Sequence, residues 1–182
     1  MNNVLQSLLS EHDHMRKMLN IFDQQLAIFE KAEQPDYEVL SESLAYCKDY
    51  LDVWHHPRED RLLELLQQRD PAKAAPLFEL EEQHISLARD TSRVVQVFRD
   101  VAERGSVQLR EDLVRSGRQL SGAYRQHIQW EEAHFFPVIE RSLGADDWEI
   151  ASREMAQAPH ASDRKALGSR YPALFEAIGA AS

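Results

Sequence analysis

The chain has 182 residues, 43% of them apolar, with one cysteine and a formal net charge of −10. That length supports one domain with a substantial core. The single thiol excludes an internal disulfide and any multi-thiolate metal site, and the acidic balance disfavours a nucleic-acid partner. No run approaches the roughly 20 apolar residues needed to cross a bilayer. The N-terminal stretch MNNVLQSLLSEHDH lacks the basic flank and cleavage site of a signal peptide. With the lone Cys47 in a reducing setting, a cytoplasmic protein with no membrane partner is the expectation.

Four long stretches carry apolar residues at helical spacing. The first runs from about Val4 to Ala32, with Leu5, Leu8, Met15, Leu19, Phe22 and Leu26 on one stripe, and Glu33-Gln34-Pro35-Asp36 ends it. The second runs from about Asp36 to Gln68 through Leu40, Leu44, Leu51, Trp54, Leu62 and Leu66. Asp70-Pro71 supplies an N-cap and a first-turn proline for the third, which ends at Arg104-Gly105. Ser106 opens the fourth, which reaches about Leu143-Gly144. Pro57 and Pro137 fall inside the second and fourth and should kink or loosen them, although the periodicity resumes beyond each. Asp146-Asp147-Trp148 caps a shorter fifth helix, and Ala158-Pro159 separates it from a sixth near Leu174.

Stretches of roughly 45–55 Å at 1.5 Å per residue, joined by short turns, must run antiparallel. The expectation is an all-α, up-down-up-down four-helix bundle over residues 1–144. One or two extra short helices over 145–182 form a C-terminal extension packed on it.

An internal repeat crosses this plan. His12, His55 and Glu59 recur at one constant offset as His84, His127 and Glu131. Leu8 maps to Leu80, Met15 to Leu87, Phe22 to Val94 and Leu66 to Val138 under the same shift. Two copies of a helical hairpin are therefore predicted, sharing mainly a histidine–carboxylate pattern. The midpoint of His12 and His55 falls in the first predicted turn, that of His55 and His84 in the second, and that of His84 and His127 in the third. In antiparallel helices, residues equidistant from a turn share a height. All four histidines thus fall in one layer, roughly 32 Å from one end of the bundle.

Glu59 follows His55 by four residues, and Glu131 follows His127 by four, so each pair shares a helix face. Four imidazoles and two carboxylates suit iron, manganese or zinc, and two carboxylates among four nitrogens are what bridging between two ions requires. The candidate metal residues are His12, His55, Glu59, His84, His127 and Glu131. His14 lies about 200° around the helix from His12 and reads as solvated. His56 is off the inward line of His55 and reads as supporting the ligands or exposed, while His160 reads as surface. His134, on nearly the same face as His127, is the remaining candidate for a further ligand or an access path. Trp54 and Trp130 read as packing that keeps water from the site. The segment Arg58-Glu59-Asp60-Arg61 reads as a solvated face apart from Glu59, and Cys47 reads as structural.

At these residues the sequence resembles the hemerythrin-like, histidine–histidine–glutamate cation-binding family. The matching segments are Leu8-Leu9-Ser10-Glu11-His12 with Met15, His55-His56-Pro57-Arg58-Glu59-Asp60, Glu82-Gln83-His84, and His127-Ile128-Gln129-Trp130-Glu131-Glu132. Phe136-Pro137 and Asp147-Trp148 are also similar to bacterial members. The resemblance implies a non-haem centre of two iron ions with an oxo or hydroxo bridge, Glu59 and Glu131 spanning both. His12 and His55 would serve one iron, and His84 and His127 the other. Oxygen-carrying relatives have a fifth histidine on the third helix, four residues after the first, where this chain has Ala88. Each iron would then keep an open position unless another side chain fills it.

Three functions fit this reading. The first is a protein that binds or senses dioxygen, nitric oxide or peroxide, or handles iron. The second is an enzyme consuming peroxide or acting as an oxidase at the same centre. The third is a zinc-bound or metal-free helical interaction module.

Overall fold

The computed structural model describes residues 2–104, 107–156 and 164–181, and every regular element among them is helical. Gly105, Ser106, Ala158, Pro159 and His160, to which the sequence assigned a turn, a break and a surface position, lie outside the described residues.

Helix α1 (Asn3–Glu30) starts at Asn2, whose side chain accepts a hydrogen bond from the Val4 amide, and buries Leu5, Leu8, His12, Met15, Leu19, Phe22 and Leu26 on one face. It ends earlier than Pro35 would require. Ala32 takes a left-handed conformation with φ 61°, and the Ala32 and Glu33 amides fold back to the Phe29 and Ile28 carbonyls. Asp36 then caps α2 (Tyr37–Tyr46) by accepting from the Glu38 and Val39 amides at 3.0 and 3.1 Å. The second rod continues through a π-helical stretch, Cys47–His55, into α3 (His56–Arg69).

The third rod is interrupted where one continuous helix was expected. Asp70 caps only α4 (Pro71–Ala74), and a 3-10 turn over Ala75–Leu77 around Pro76 separates it from α5 (Glu79–Arg104). The fourth rod is α6 (Val107–Trp130), a π-helical stretch Glu131–Phe135, and α7 (Phe136–Ser142). Three tail helices follow, α8 (Ala145–Ala156), α9 (Arg164–Arg170) and α10 (Pro172–Ala180), one more than the upper expectation. The extra break falls at Tyr171-Pro172, where the proline pushes the preceding residue out of the helical region.

Both π-helical stretches have the same cause. Pro57 and Pro137 lack an amide hydrogen, and an α-helical turn would drive each ring into the carbonyl four residues back. The chain widens instead, and the His56 amide bonds the Leu51 carbonyl as the Phe136 amide bonds that of Glu131, five residues back in each case. Of the kink or loosening expected at each proline, the described structure shows the loosening, a local change of helical pitch. That change alters which side chains face inward.

Each rod lies against its neighbours in the chain, and α1 also packs on α6, which closes the ring. Gly117 of α6 permits that last approach, since a Cβ there would lie 2.7 Å from Leu26 Cδ1. Helix α10 rests on α2 and α1, and α8 on α3 and α1. The core is divided in two. One apolar cluster holds Met15, Leu19, Leu51, Leu87, Tyr124 and Ile128, and the other Leu8, Leu62, Leu80, Phe135 and Ile139. His12 falls between Leu8 and Met15, His55 between Leu51 and Leu62, and His84 between Leu80 and Leu87. The polar layer therefore lies at the junction of two dry regions.

Candidate metal centre

The structure brings all six predicted residues together at that junction. His12, His55, Glu59 and Glu131 are fully buried, and His84 and His127 nearly so. Glu59 turns Oε1 toward His12 Nε2 at 3.5 Å and His55 Nε2 at 3.3 Å, and Oε2 toward His84 Nε2 at 3.6 Å. Glu131 turns Oε2 toward His12 Nε2 at 3.2 Å, and Oε1 toward His84 Nε2 at 3.4 Å and His127 Nε2 at 3.1 Å. Each carboxylate therefore offers one oxygen to the His12–His55 pair and the other to the His84–His127 pair.

These groups converge with a single hydrogen bond among them, 3.4 Å between His84 Nε2 and Glu131 Oε1. The Nε2 atoms of His12, His55 and His127, both Glu59 oxygens and Glu131 Oε2 are buried with no hydrogen-bond partner. An orphaned buried polar atom costs about 1–3 kcal/mol, so such a set is a heavy burden for a scaffold alone. Cis ligands held at about 2.1 Å by one ion lie roughly 3 Å apart, close to the spacings seen here. The donor set and its geometry fit metal ions.

The outward nitrogens are fixed in turn. His12 Nδ1 lies 3.0 Å from Glu132 Oε1, His55 Nδ1 2.9 Å from Glu11 Oε2, His84 Nδ1 2.7 Å from Asp60 Oδ1, and His127 Nδ1 2.9 Å from Gln83 Oε1. An acceptor on Nδ1 places the proton there and aims the Nε2 lone pair inward, the arrangement that metal-bound imidazoles use. Sequence reasoning missed these partners, yet the repeat contained them. Glu11 and Gln83 precede corresponding histidines, and Asp60 and Glu132 follow corresponding glutamates. Glu11 is further held by the Tyr50 hydroxyl at 2.8 Å and by the Arg58 guanidinium.

Charge within the layer is strongly coupled. Burial pulls the His12 imidazole down, but the carboxylates of Glu131, Glu132 and Glu59 outweigh it and raise it to about 11. His84 is likewise opposed by burial and raised to about 10 by Asp60, Glu131 and Glu59. Burial raises Glu11, yet His55 and Arg58 hold it at about 2. Cys47 is buried, which pushes its thiol up and leaves it unreactive.

A family model described as the hemerythrin HHE cation binding domain matches residues 3–115. The chain belongs to that family. Binding of cations follows for this hemerythrin domain, and buried His/Glu clusters are present to do it. His12, His55, Glu59 and His84 lie inside the matched residues. His127 and Glu131 lie beyond them, and the structure folds them back onto the same point. No curated protein and no solved structure matches the chain.

Several neighbouring residues narrow or correct the expectations. His56 is buried, which removes the exposed alternative and fits the supporting one, and it stacks on His84 with ring centres 4.2 Å apart. His14 is half-buried, its ring 4.6 Å from that of Phe175, because α10 covers this face of α1. His134 is exposed beside Trp130, the π-helical stretch having rotated it off the His127 face. Arg58 and Asp60 reach Glu11 and His84, although Asp60 keeps about as much of its side chain exposed as Arg61, which pairs with Glu154.

Proposed function

We propose that this hemerythrin domain is a non-haem di-iron protein that binds or senses small molecules such as dioxygen, nitric oxide or peroxide. The observation that carries the reading is the division of each carboxylate between the two histidine pairs. Glu59 and Glu131 would bridge the ions, with His12 and His55 on one and His84 and His127 on the other. A bound iron pair would supply one-electron chemistry and affinity for small diatomic or peroxidic ligands.

The chain's own residues do the rest. Glu11, Asp60, Gln83 and Glu132 keep the imidazoles oriented, and the two apolar clusters exclude bulk water. Phe136 stacks on His12 with ring centres 5.2 Å apart and walls that side of the layer. A cavity of about 260 Å³ lined by His14, Tyr46, Tyr50 and Phe175 ends on Glu11, behind His55 rather than at its inward nitrogen. With the inward nitrogens this deeply shielded, selection by size favours small ligands.

The same reading extends to architecture. The four rods would alternate in direction as an antiparallel bundle over residues 1–144, supported by the ring of chain neighbours. Residues 145–182 would form an extension seated on α1, α2 and α3. No described helix is long and apolar enough to cross a membrane, and the buried free thiol of Cys47 suits a reducing cytoplasm.

The test is anaerobic ferrous titration followed by air and azide or nitric oxide. An endpoint of two irons per chain, with near-ultraviolet bands that shift with added ligand, supports the proposal. An endpoint of zero, exclusive retention of zinc, or bands blind to both ligands contradicts it.

A further inference from the structure

The network behind His55 has no counterpart in the other half of the molecule. Under the internal repeat Tyr50, Glu11 and Arg58 correspond to Gly122, Gln83 and Trp130. His55 is thus backed by a carboxylate that also meets a phenol and a guanidinium, whereas His127 is backed by a neutral amide. Holding an imidazole in place needs only an acceptor, and Gln83 serves His127 as one. The tyrosine therefore calls for a reason beyond orientation.

Tyr50 is tied to the polar layer by two short contacts. Its hydroxyl donates to Glu11 Oε2 at 2.8 Å, and the same oxygen lies 2.9 Å from His55 Nδ1. From the phenol to the inward Nε2 the path is two hydrogen bonds and one ring. Burial and the Glu11 carboxylate push the Tyr50 phenol well above its ordinary range. It therefore stays protonated, and it loses an electron only by parting with that proton. An oxidised phenol is a far stronger acid than the Glu11 carboxyl, which is held at about 2, so Glu11 is able to accept the proton.

The other tyrosines are placed differently. Tyr124 Oη lies 3.0 Å from the neutral Thr91 hydroxyl, and Tyr171 Oη is buried with no hydrogen-bond partner. Tyr37 is exposed, and Tyr46 packs against Tyr50 with ring centres 5.0 Å apart.

We propose that Tyr50 is a redox-active side chain that gives one electron to the metal centre and its proton to Glu11. This rests on the di-iron reading above, with hydrogen peroxide as the oxidant. Peroxide takes up two electrons and two protons as its O–O bond breaks and two waters form. A centre holding one ferrous and one ferric ion supplies one of those electrons and ends with both ions ferric. Tyr50 supplies the other. Its O–H bond breaks, the electron leaves along the Glu11–His55 path, the proton settles on Glu11 Oε2, and a neutral phenoxyl radical remains. The two protons taken up by peroxide come from solvent.

The test is electron paramagnetic resonance of iron-loaded protein, half-oxidised to one ferrous and one ferric ion, mixed with an equivalent of peroxide and rapidly frozen. An organic radical resonance that narrows when the tyrosines carry ring deuterium is expected. It should vanish in Tyr50→Phe with two irons still bound, and persist in Tyr37→Phe, Tyr46→Phe, Tyr124→Phe and Tyr171→Phe. Persistence in iron-loaded Tyr50→Phe would overturn the inference. Should that variant lose its iron, the other four decide, and disappearance of the radical in any that retains two irons would overturn it. Consumption of the mixed-valence signal in the native protein with no tyrosyl radical would also overturn it and leave the di-iron centre standing. Failure of the native protein to bind iron would overturn the underlying reading as well.

Discussion

Replacing Glu11 by glutamine keeps the side chain's shape and removes its charge. That charge faces His55 Nδ1, the Tyr50 hydroxyl and the largely buried Arg58 guanidinium at once. Glu11 is held at about 2 against an ordinary 4.5, burial opposing the shift and His55 and Arg58 imposing it. By linkage that difference is about 3 kcal/mol of interaction belonging to the charged form. For the metal, losing the carboxylate behind an imidazole typically costs about 10–100-fold in affinity. The other half of the molecule supplies an internal control, since His127 already has the neutral Gln83 behind it. The loss should therefore fall on one ion of the two. In competition with a chromophoric ferrous chelator, Glu11→Gln should weaken one binding step about 10–100-fold and leave the other nearly unchanged. The converse change, Gln83→Glu, should strengthen the opposite step. Two steps of native affinity in Glu11→Gln would refute the reasoning.

Glu59→Ala removes an oxygen from both histidine pairs, so iron stoichiometry should fall below one per chain by metal analysis, and retention of two would contradict the bridging role. Metal uptake must displace protons, because the surrounding carboxylates hold His12 and His84 at about 11 and about 10. Ferrous binding at neutral pH should therefore release protons in weakly buffered solution and weaken as pH falls; pH-independent affinity would argue against these ligands. Ala32→Gly relieves a left-handed alanine and should stabilise the fold by about 0.5–1 kcal/mol, raising Tm by roughly 1–4 °C. An unchanged or lower Tm would mean that the turn relaxes without strain.

What the sequence disclosed and what it concealed divide along physical lines. The rods were legible because Leu5, Leu8, Met15 and their counterparts recur at a spacing that only a helix places on one face. The layer was legible because residues equidistant from a short turn keep a common height after folding, and each successive pair of these histidines straddles a turn evenly. For His56 the sequence left a supporting and an exposed position open, because its direction depends on helical pitch and Pro57 forces a wider turn immediately before it. His134 was misplaced for the same reason beyond Glu131. Arg58 and Asp60 look like surface charges in one dimension, and only the approach of Glu11 and His84 from other rods gives them buried partners. His14 is covered by a tail helix whose docking site no local pattern encodes. The partners of the imidazoles were hidden differently, since the repeat carried Glu11 with Gln83 and Asp60 with Glu132 in plain view.

The central claim is that one polar layer between two apolar clusters holds a carboxylate-bridged pair of irons. Crystals of iron-loaded protein measured on both sides of the iron absorption edge test it most directly. Two anomalous peaks about 3.5–4 Å apart are expected, one beside His12 and His55 and one beside His84 and His127, with Glu59 and Glu131 between them. A single peak, or density away from this layer, would contradict it.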